Sequence, residues 1–562
     1  MIKAISPKTL AALLALLLTS AGCFRQTAET PKQSSNEASP GGKLVIGITP
    51  PGSIEPSNAF EPMGKLVVRA LCDPLVDFDP ETGELKPAIA ESWLVSDNGT
   101  RLTIKLREGV MFHNGEELQA DDVVFTLSRV ADSEYASSVA SLLEPIAGYE
   151  FIHGDEETDN EEFLNRLAGV RATESYGVEI MLKGPLSDFI RVLAHPLASP
   201  ISKDAVAEDA DAFERSPVCA GPYRMAAPWQ PGETTIRLER FADYYGQNLA
   251  FTNGGRGYPD ELEFRIDQDE AASYNAGRAG NSDVFEIPAP ALTEARADPG
   301  FFQVPSPSLE YIGLPTSVAP FNDVRLRRAF SIALDRTAIV QTVFSGGRLP
   351  ATGFLPPSVG DLFQQDACGS TLGARPDVER ARGLMAEAGI DLAGQRIRIY
   401  FNEDFQNRSI AEAVASQWNA AFGVEFDLTP VPWEEFIARA AGQPGFDAPF
   451  RMSWAPEYIS PDRYLFPLFH SGSIGSQNFA RYSSAQFDRL MNRSARRTET
   501  EDDFRVEYQR LEDFICEQMP VVPITFGAME YLHSPRVGTA TESFGDLTTG
   551  LPALRELFVK TN

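Results

Sequence analysis

The residues in this chain with the most constrained chemistry are its cysteines and histidines. Cys72, Cys219, Cys368 and Cys516 lie far apart, and none belongs to a Cys-x-x-Cys pair. That spacing speaks against a zinc or thioredoxin-type site. In an exported chain, an even set of cysteines forms disulfides. Four cysteines allow three pairings, and their spacing does not choose among them. No histidine is placed suggestively near a cysteine, which disfavours a thiol nucleophile. The five histidines are scattered and form no dense ligand cluster, so neither a bare metal site nor a cofactor is expected. A secreted hydrolase would need a recognisable nucleophile or metal motif. Neither a Gly-x-Ser-x-Gly elbow nor a His-Glu-x-x-His helix occurs. Neighbouring carboxylates are too frequent in a chain with 79 acidic residues to mark a site.

The remaining cysteine, Cys23, has a different setting. Lys3 and Lys8 precede the apolar run Leu10–Leu18, and the small residues Ser20, Ala21 and Gly22 lead into Cys23. A positive start, a short apolar stretch and a small-residue exit describe a secretory signal peptide over residues 1–22. The run is shorter than the roughly 20 residues needed to cross a bilayer. No later stretch is long and apolar enough, so a soluble mature protein is expected. Cys23 resembles the lipidated cysteine of a bacterial lipoprotein, although Ser20 stands where that pattern has Leu. The segment after it is rich in Ser, Thr, Gln, Pro and Glu and cannot bury a core. Residues 23–41 thus read as a lipidated cysteine with a disordered tether. The expected location is the periplasmic or extracellular face of a membrane.

About 520 residues follow, too many for one core, so at least two lobes are expected. Acidic residues outnumber basic ones by 79 to 49, a formal charge of −30. This argues against nucleic acid or a phosphate-rich membrane surface as the main partner. Leu44, Ile46 and Ile48 alternate as in a strand, which Pro50, Pro51 and Gly52 end. Leu102, Ile104 and Leu106, then Val110 and Phe112, read as two antiparallel strands with Asn114-Gly115 as a turn beyond them. A helix is predicted from about Ala120 to Val130, its acidic start suiting the helix dipole. Farther on, Pro376 opens a helix with Ala381, Leu384, Met385 and Ala388 on one face, closed by Gly389. Ile397 and Ile399 mark a strand. Ser409 and Glu412 have capping-box spacing for a second helix, which Gly423 can close. Val424, Phe426 and Leu428 alternate as the next strand. Strand, helix, strand at this spacing predicts a βαβ unit and hence mixed α/β lobes.

Six stretches together resemble one family. They are Leu85–Trp93 (LKPAIAESW), Leu102–Gly115 (LTIKLREGVMFHNG), Ala120–Phe125 (ADDVVF), Ala220–Tyr223 (AGPY), Pro320–Phe330 (PFNDVRLRRAF) with Ala333–Arg336 (ALDR), and Ala381–Gly389 (ARGLMAEAG). In order and spacing the chain is similar to the extracytoplasmic solute-binding proteins of the peptide and nickel ABC-importer class. The resemblance implies an α/β, two-lobed periplasmic-binding-protein fold of the type II, large peptide-binding class, with an extra domain inserted in the first lobe. Lobe one would hold residues 42–84, 200–305 and 520–562, the inserted domain 85–199, and lobe two 306–519. With that division, pairing within lobes leaves a hinge free, which favours Cys72–Cys219 and Cys368–Cys516. Cys219 stands where the family more often has Gly.

The resemblance also implies a role: a non-enzymatic receptor that captures oligopeptides or dipeptides and delivers them to a membrane permease and its ATPase, as a lipid-anchored monomer. A peptide receptor needs an acid for the amine, Arg for the carboxylate and aromatic walls. By resemblance the acid is Glu457, within Trp454-Ala-Pro-Glu457-Tyr458, where the family more often has Asp. Arg451 matches an Arg near the carboxylate end, and Trp433 a pocket-lining Trp. Arg439, Trp454, Tyr311 and Tyr135 are further candidates. Asp323, Arg325, Asp335 and Arg336 read instead as helix caps and structural ion pairs. The same scaffold could hold a metal chelate, glycan, opine or siderophore, or serve as a surface signalling or adhesion receptor.

Overall fold

In the strand Lys43–Ile48, the alternating residues Leu44, Ile46 and Ile48 are almost wholly buried, and the strand sits deep in an eleven-stranded sheet. The computed structural model describes residues 40–154, 166–248, 257–372, 375–496 and 501–560, without the side chains of 501–503. The segments expected to be a signal peptide and a tether, with Cys23, lie wholly or mostly outside the described residues.

From one edge the sheet runs Glu425–Val431, Arg396–Asn402, Phe450–Trp454, Phe301–Gly313, Val521–His533, Val284–Glu286, Lys43–Ile48, Glu261–Ile266, Thr235–Arg240 and Tyr223–Met225. Leu349–Pro350 pairs off this path with Val521–His533. The two central strands, each 13 residues long, are antiparallel and join the halves. Phe301–Ser306 faces Gly527–Leu532 on one side, and Leu309–Gly313 faces Val521–Phe526 on the other. Register breaks between Ser306 and Leu309, around Pro307. A Cβ at Gly527 would lie 2.1 Å from the hydroxyls of both Ser306 and Ser308, so any side chain there would force both to turn away.

The βαβ unit is as the periodicities predict. Arg396–Asn402 and Glu425–Val431 are parallel, joined through the helix Phe405–Phe422. Gly389 and Gly423 close the two helices in left-handed conformation, with φ of 67° and 68°. The second helix starts earlier than expected. Asp404, not Ser409, is its cap and accepts the amide N–H groups of Gln406 and Asn407. Ser409 lies inside the helix and donates to the Phe405 carbonyl. Its apolar face, Ile410, Val414, Trp418 and Ala421, already demands helix there.

A separate four-stranded antiparallel sheet orders Ala90–Ser96, Arg101–Leu106, Gly177–Met181 and Val170–Glu174, with the helix Ala120–Ala131 packed on it. The expected second strand after Leu106 is a single bridge, Met111 to Glu117. Val110 and Phe112 are buried, but Gly109 and Gly115, with φ of 73° and 86°, turn the chain before a ladder forms. Asp323 and Asp335 each cap a helix, and Arg336 is buried on the carbonyls of Pro523, Ser331 and Leu372.

Two main bodies of apolar packing result. One surrounds Leu44, Leu66, Val67 and Phe264, and the other runs from the four-stranded sheet into the half built on Arg396–Asn402. One disulfide lies in each: Cys72–Cys219 and Cys368–Cys516, both with Cα atoms 5.0 Å apart.

Candidate functional site

Two cavities bear on function. One, of about 110 Å³, is walled largely by charges that already satisfy one another. Arg555 pairs with Asp73 at 2.6 Å, Arg69 with Asp77 and Asp546, and the Tyr244 and Tyr245 hydroxyls donate to Asp73. The other, of about 300 Å³, is a cleft touching both halves and the strand crossing at Ser306–Ser308. Only the second lets one small molecule bear on the two halves and the crossing together, so it is the candidate site.

The wall from the second half is the loop Ala455–Ile459, after the strand Phe450–Trp454. Pro456 cannot continue the ladder. The Trp454 indole N–H donates to the Arg463 carbonyl at 2.7 Å, tying the ends of the loop. The Arg463 guanidinium holds the half-exposed Glu457 carboxylate at 2.7 Å. The opposite wall begins with the helix Pro62–Leu71. Glu61 caps it by accepting from Met63 and Gly64, and Leu66, Val67 and Ala70 bury its apolar face. Lys65 and Arg69, four residues apart, therefore share the face on the cleft. His195 completes this wall and is 7% exposed. Burial, then the charges of Lys65 and Arg69, hold its imidazole well below its ordinary pKa, so it is neutral. Burial likewise lowers the Lys65 ammonium, against the pull of Glu61 and Glu457.

Of the expected ligand residues, Glu457 lines the cleft. The others are placed elsewhere. Arg451 is buried in a two-pronged ion pair with Glu310 on the adjacent strand, at 2.5 and 2.6 Å, and also reaches Asn402. Trp454 stands behind the loop it ties. Trp433 is exposed at the start of its helix, stacked on Phe436. Arg439 lies over the Tyr400 ring beside Glu435. Tyr311 is buried in the sheet, and burial raises its hydroxyl pKa. Tyr135 donates to Glu55 and lies under the Arg129 guanidinium, 3.6 Å from its ring centre. Lys65, His195 and Ser306–Ser308 are cleft residues that the sequence reading does not name. The one local signal for the last is Pro305-Ser-Pro307-Ser308, a proline pattern that breaks a strand.

The chain has relatives with this architecture. The model for bacterial extracellular solute-binding proteins, family 5, matches residues 84–476. A probable deoxycholate-binding periplasmic protein of Escherichia coli is 28% identical over 508 residues, 87% of this chain and 88% of that one. The heme-binding protein A of Haemophilus influenzae is 27% identical over 94% of each chain. The periplasmic oligopeptide-binding protein of Salmonella typhimurium is 28% identical over 84% and 85%. Among solved structures, the unliganded open form of the periplasmic murein tripeptide-binding protein MppA superposes with a TM-score of 0.78 at 22% identity, over 92% of this chain and 97% of that one. HbpA2 of Haemophilus parasuis gives 0.75 at 24% identity, over 92% and 100%. The fold is therefore the two-lobed, type II periplasmic-binding-protein fold. The function is that of the substrate-binding component of an ABC importer, without catalysis. The chain belongs to the family-5 bacterial extracellular solute-binding proteins.

Proposed function

We propose that the chain captures a short peptide in the cleft between its lobes and surrenders it unchanged to a membrane permease driven by an ATPase. The observation that carries this reading is the single cleft lined by Glu457 and Tyr458 from one half, Lys65 and His195 from the other, and the strand crossing between them. A ligand held by both walls favours their approach, and the closed form presents a new surface to the permease. The carboxylate of Glu457 receives the ligand's amine, with Arg463 turning to one side. In this reading the protein acts as a monomer, tethered through a lipid on Cys23. Lobe one comprises residues 42–84, 200–305 and 520–562, with 85–199 inserted, and lobe two 306–519.

Glu457→Ala is expected to weaken binding of trialanine by about tenfold or more, the worth of one charge-assisted hydrogen bond. It should leave the analogue lacking the amine unaffected. Calorimetry on both ligands checks this, and equal losses would remove Glu457 from the amine site.

A second reading is favoured by the relative named for deoxycholate and by the apolar residues Phe60, Phe78 and Ile459 in the cleft. In it the solute is an amphipathic carboxylate without an amine. Gentle purification from the native host, followed by mass spectrometry of the small molecule released on denaturation, decides between the two.

A further inference from the structure

The wall opposite Glu457 carries donors that no protein acceptor takes up. His195 Nδ1 accepts the Leu197 amide N–H at 3.1 Å, so the neutral ring carries its proton on Nε2. That Nε2 is buried and has no hydrogen-bond partner among the described residues. A buried N–H left unpaired forfeits the hydrogen bond it made to water in the unfolded chain. Its neighbours are cations, Lys65 and Arg69. Arg69 is engaged by Asp77 and Asp546. Lys65 donates its backbone N–H to the Glu61 carbonyl, but its ammonium has neither an ion pair nor a hydrogen bond among the described residues. The acid one turn before it, Glu61, is occupied by the amide N–H groups of Gly52, Met63 and Gly64. A free ammonium and an unpaired N–H on one wall of a cleft call for an acceptor with negative charge.

We infer that Lys65, from lobe one, and His195, from the domain inserted in it, form the anion anchor of the cleft, receiving the carboxylate of the ligand while lobe two receives its other end. The inference rests on the cleft being the solute site, and it deepens the proposed function by assigning the carboxylate to a wall other than the one carrying Arg451. It fits a peptide C-terminus and the acid group of an amphipathic solute alike. A ligand held in this way spans the cleft with opposite charges at its two ends. Neither wall then satisfies it alone, which couples capture to closure.

Two probes separate this inference from the peptide reading. The first is hexanoate, a carboxylate without an amine, titrated into the mature protein carrying ¹⁵N-labelled histidine, with His195→Gln assigning the signal. The expected result is a saturable shift of the His195 Nε2 resonance that Lys65→Met abolishes. The second probe is trialanine against its C-terminal amide, measured by calorimetry. The free acid should bind about tenfold tighter, and Lys65→Met or His195→Gln should each remove most of that advantage while leaving the amide's affinity in place. A His195 signal unmoved by hexanoate overturns the anchor. So does a free-acid advantage that survives both variants in folded protein. A hexanoate response without any trialanine binding leaves the anchor standing and removes the peptide reading.

Discussion

Arg451→Met should destabilise the folded protein by about 3–5 kcal/mol, the usual cost of stranding one member of a buried ion pair. Arg451 and Glu310 are both nearly inaccessible, face each other from neighbouring strands, and hold two contacts at 2.5 and 2.6 Å. Burial pushes the Glu310 carboxyl up, and the Arg451 charge pulls against it. Without Arg451, only the Arg348 charge still opposes burial, and the fold must either protonate Glu310 or hydrate it. Replacing both residues, as Arg451→Met with Glu310→Met, removes the stranded charge. The double variant should recover most of the loss, because an apolar pair of similar volume is often no less stable than the ions it replaces. Denaturant unfolding of the two single variants and the double variant closes the cycle. A melting curve left unchanged by Arg451→Met, together with lost ligand binding, would move Arg451 from the frame into the site.

The second large effect is on stability against pH. Burial pushes Glu512 up to about 7, against the amide N–H groups of Leu355 and Phe354 that it accepts. Burial pushes Glu286 up to about 7, with Glu270 and Glu530 adding to it. Burial pushes Glu556 up to about 8, against Arg555 and helped by Asp79 and Glu81. The fold holds these protons more tightly than the unfolded chain does. Their favourable contribution is thus complete below the ordinary carboxylate range and is lost as pH rises through about 7 to 8. At about 1.4 kcal/mol per pH unit, the loss is at most about 3 kcal/mol for Glu512 and about 5 kcal/mol for Glu556. Mutual repulsion in a chain of net charge −30 acts in the same direction. Acids held low by partners, such as Asp323 by Arg325, oppose this only at still lower pH. Buried His113, held down to about 4, and His195, also held low, gain stability as pH rises towards their ordinary 6.5 and offset the acids up to there. Stability should therefore be greatest at about pH 5 to 6.5 and fall towards pH 8. Glu556→Gln and Glu512→Gln should each flatten that fall, the latter keeping an acceptor for the two amides. Flat melting temperatures between pH 5 and 8 would contradict this account, as would slopes that neither variant alters.

Sequence periodicity was most informative where a single element buries one face. The helix with Ile410, Val414 and Trp418 and its two flanking strands can be read from repeats of 3.6 and 2, because each apolar stripe is local. The start of that helix could not be read the same way. Asp404 and Ser409 both have capping chemistry, and only the packed face decides between them. Long-range partners were beyond local reading. Arg451 and its acid Glu310 are 141 residues apart, and the disulfide partners are 147 and 148 apart. Glu457 was found through a resemblance, since one acid among 79 carries no mark of its own. Lys65 and His195 left no trace because they come from segments 130 residues apart. What distinguishes them, a missing acceptor, exists only once the walls are assembled.

The two central strands have one more consequence. Both connectors between the halves are hydrogen-bonded neighbours in one continuous sheet, with register shifts around Pro307, beside Gly527, and between Glu310 and Tyr311. Such a joint behaves as a leaf spring rather than a ball and socket. It flexes about one line and resists torsion, so the mouth of the receptor has a nearly fixed path along which to shut. How tightly a solute is gripped then depends on the stiffness of this short ribbon as well as on the contacts made, and a substitution at Gly527, which does not line the cleft, would tune affinity without touching the solute.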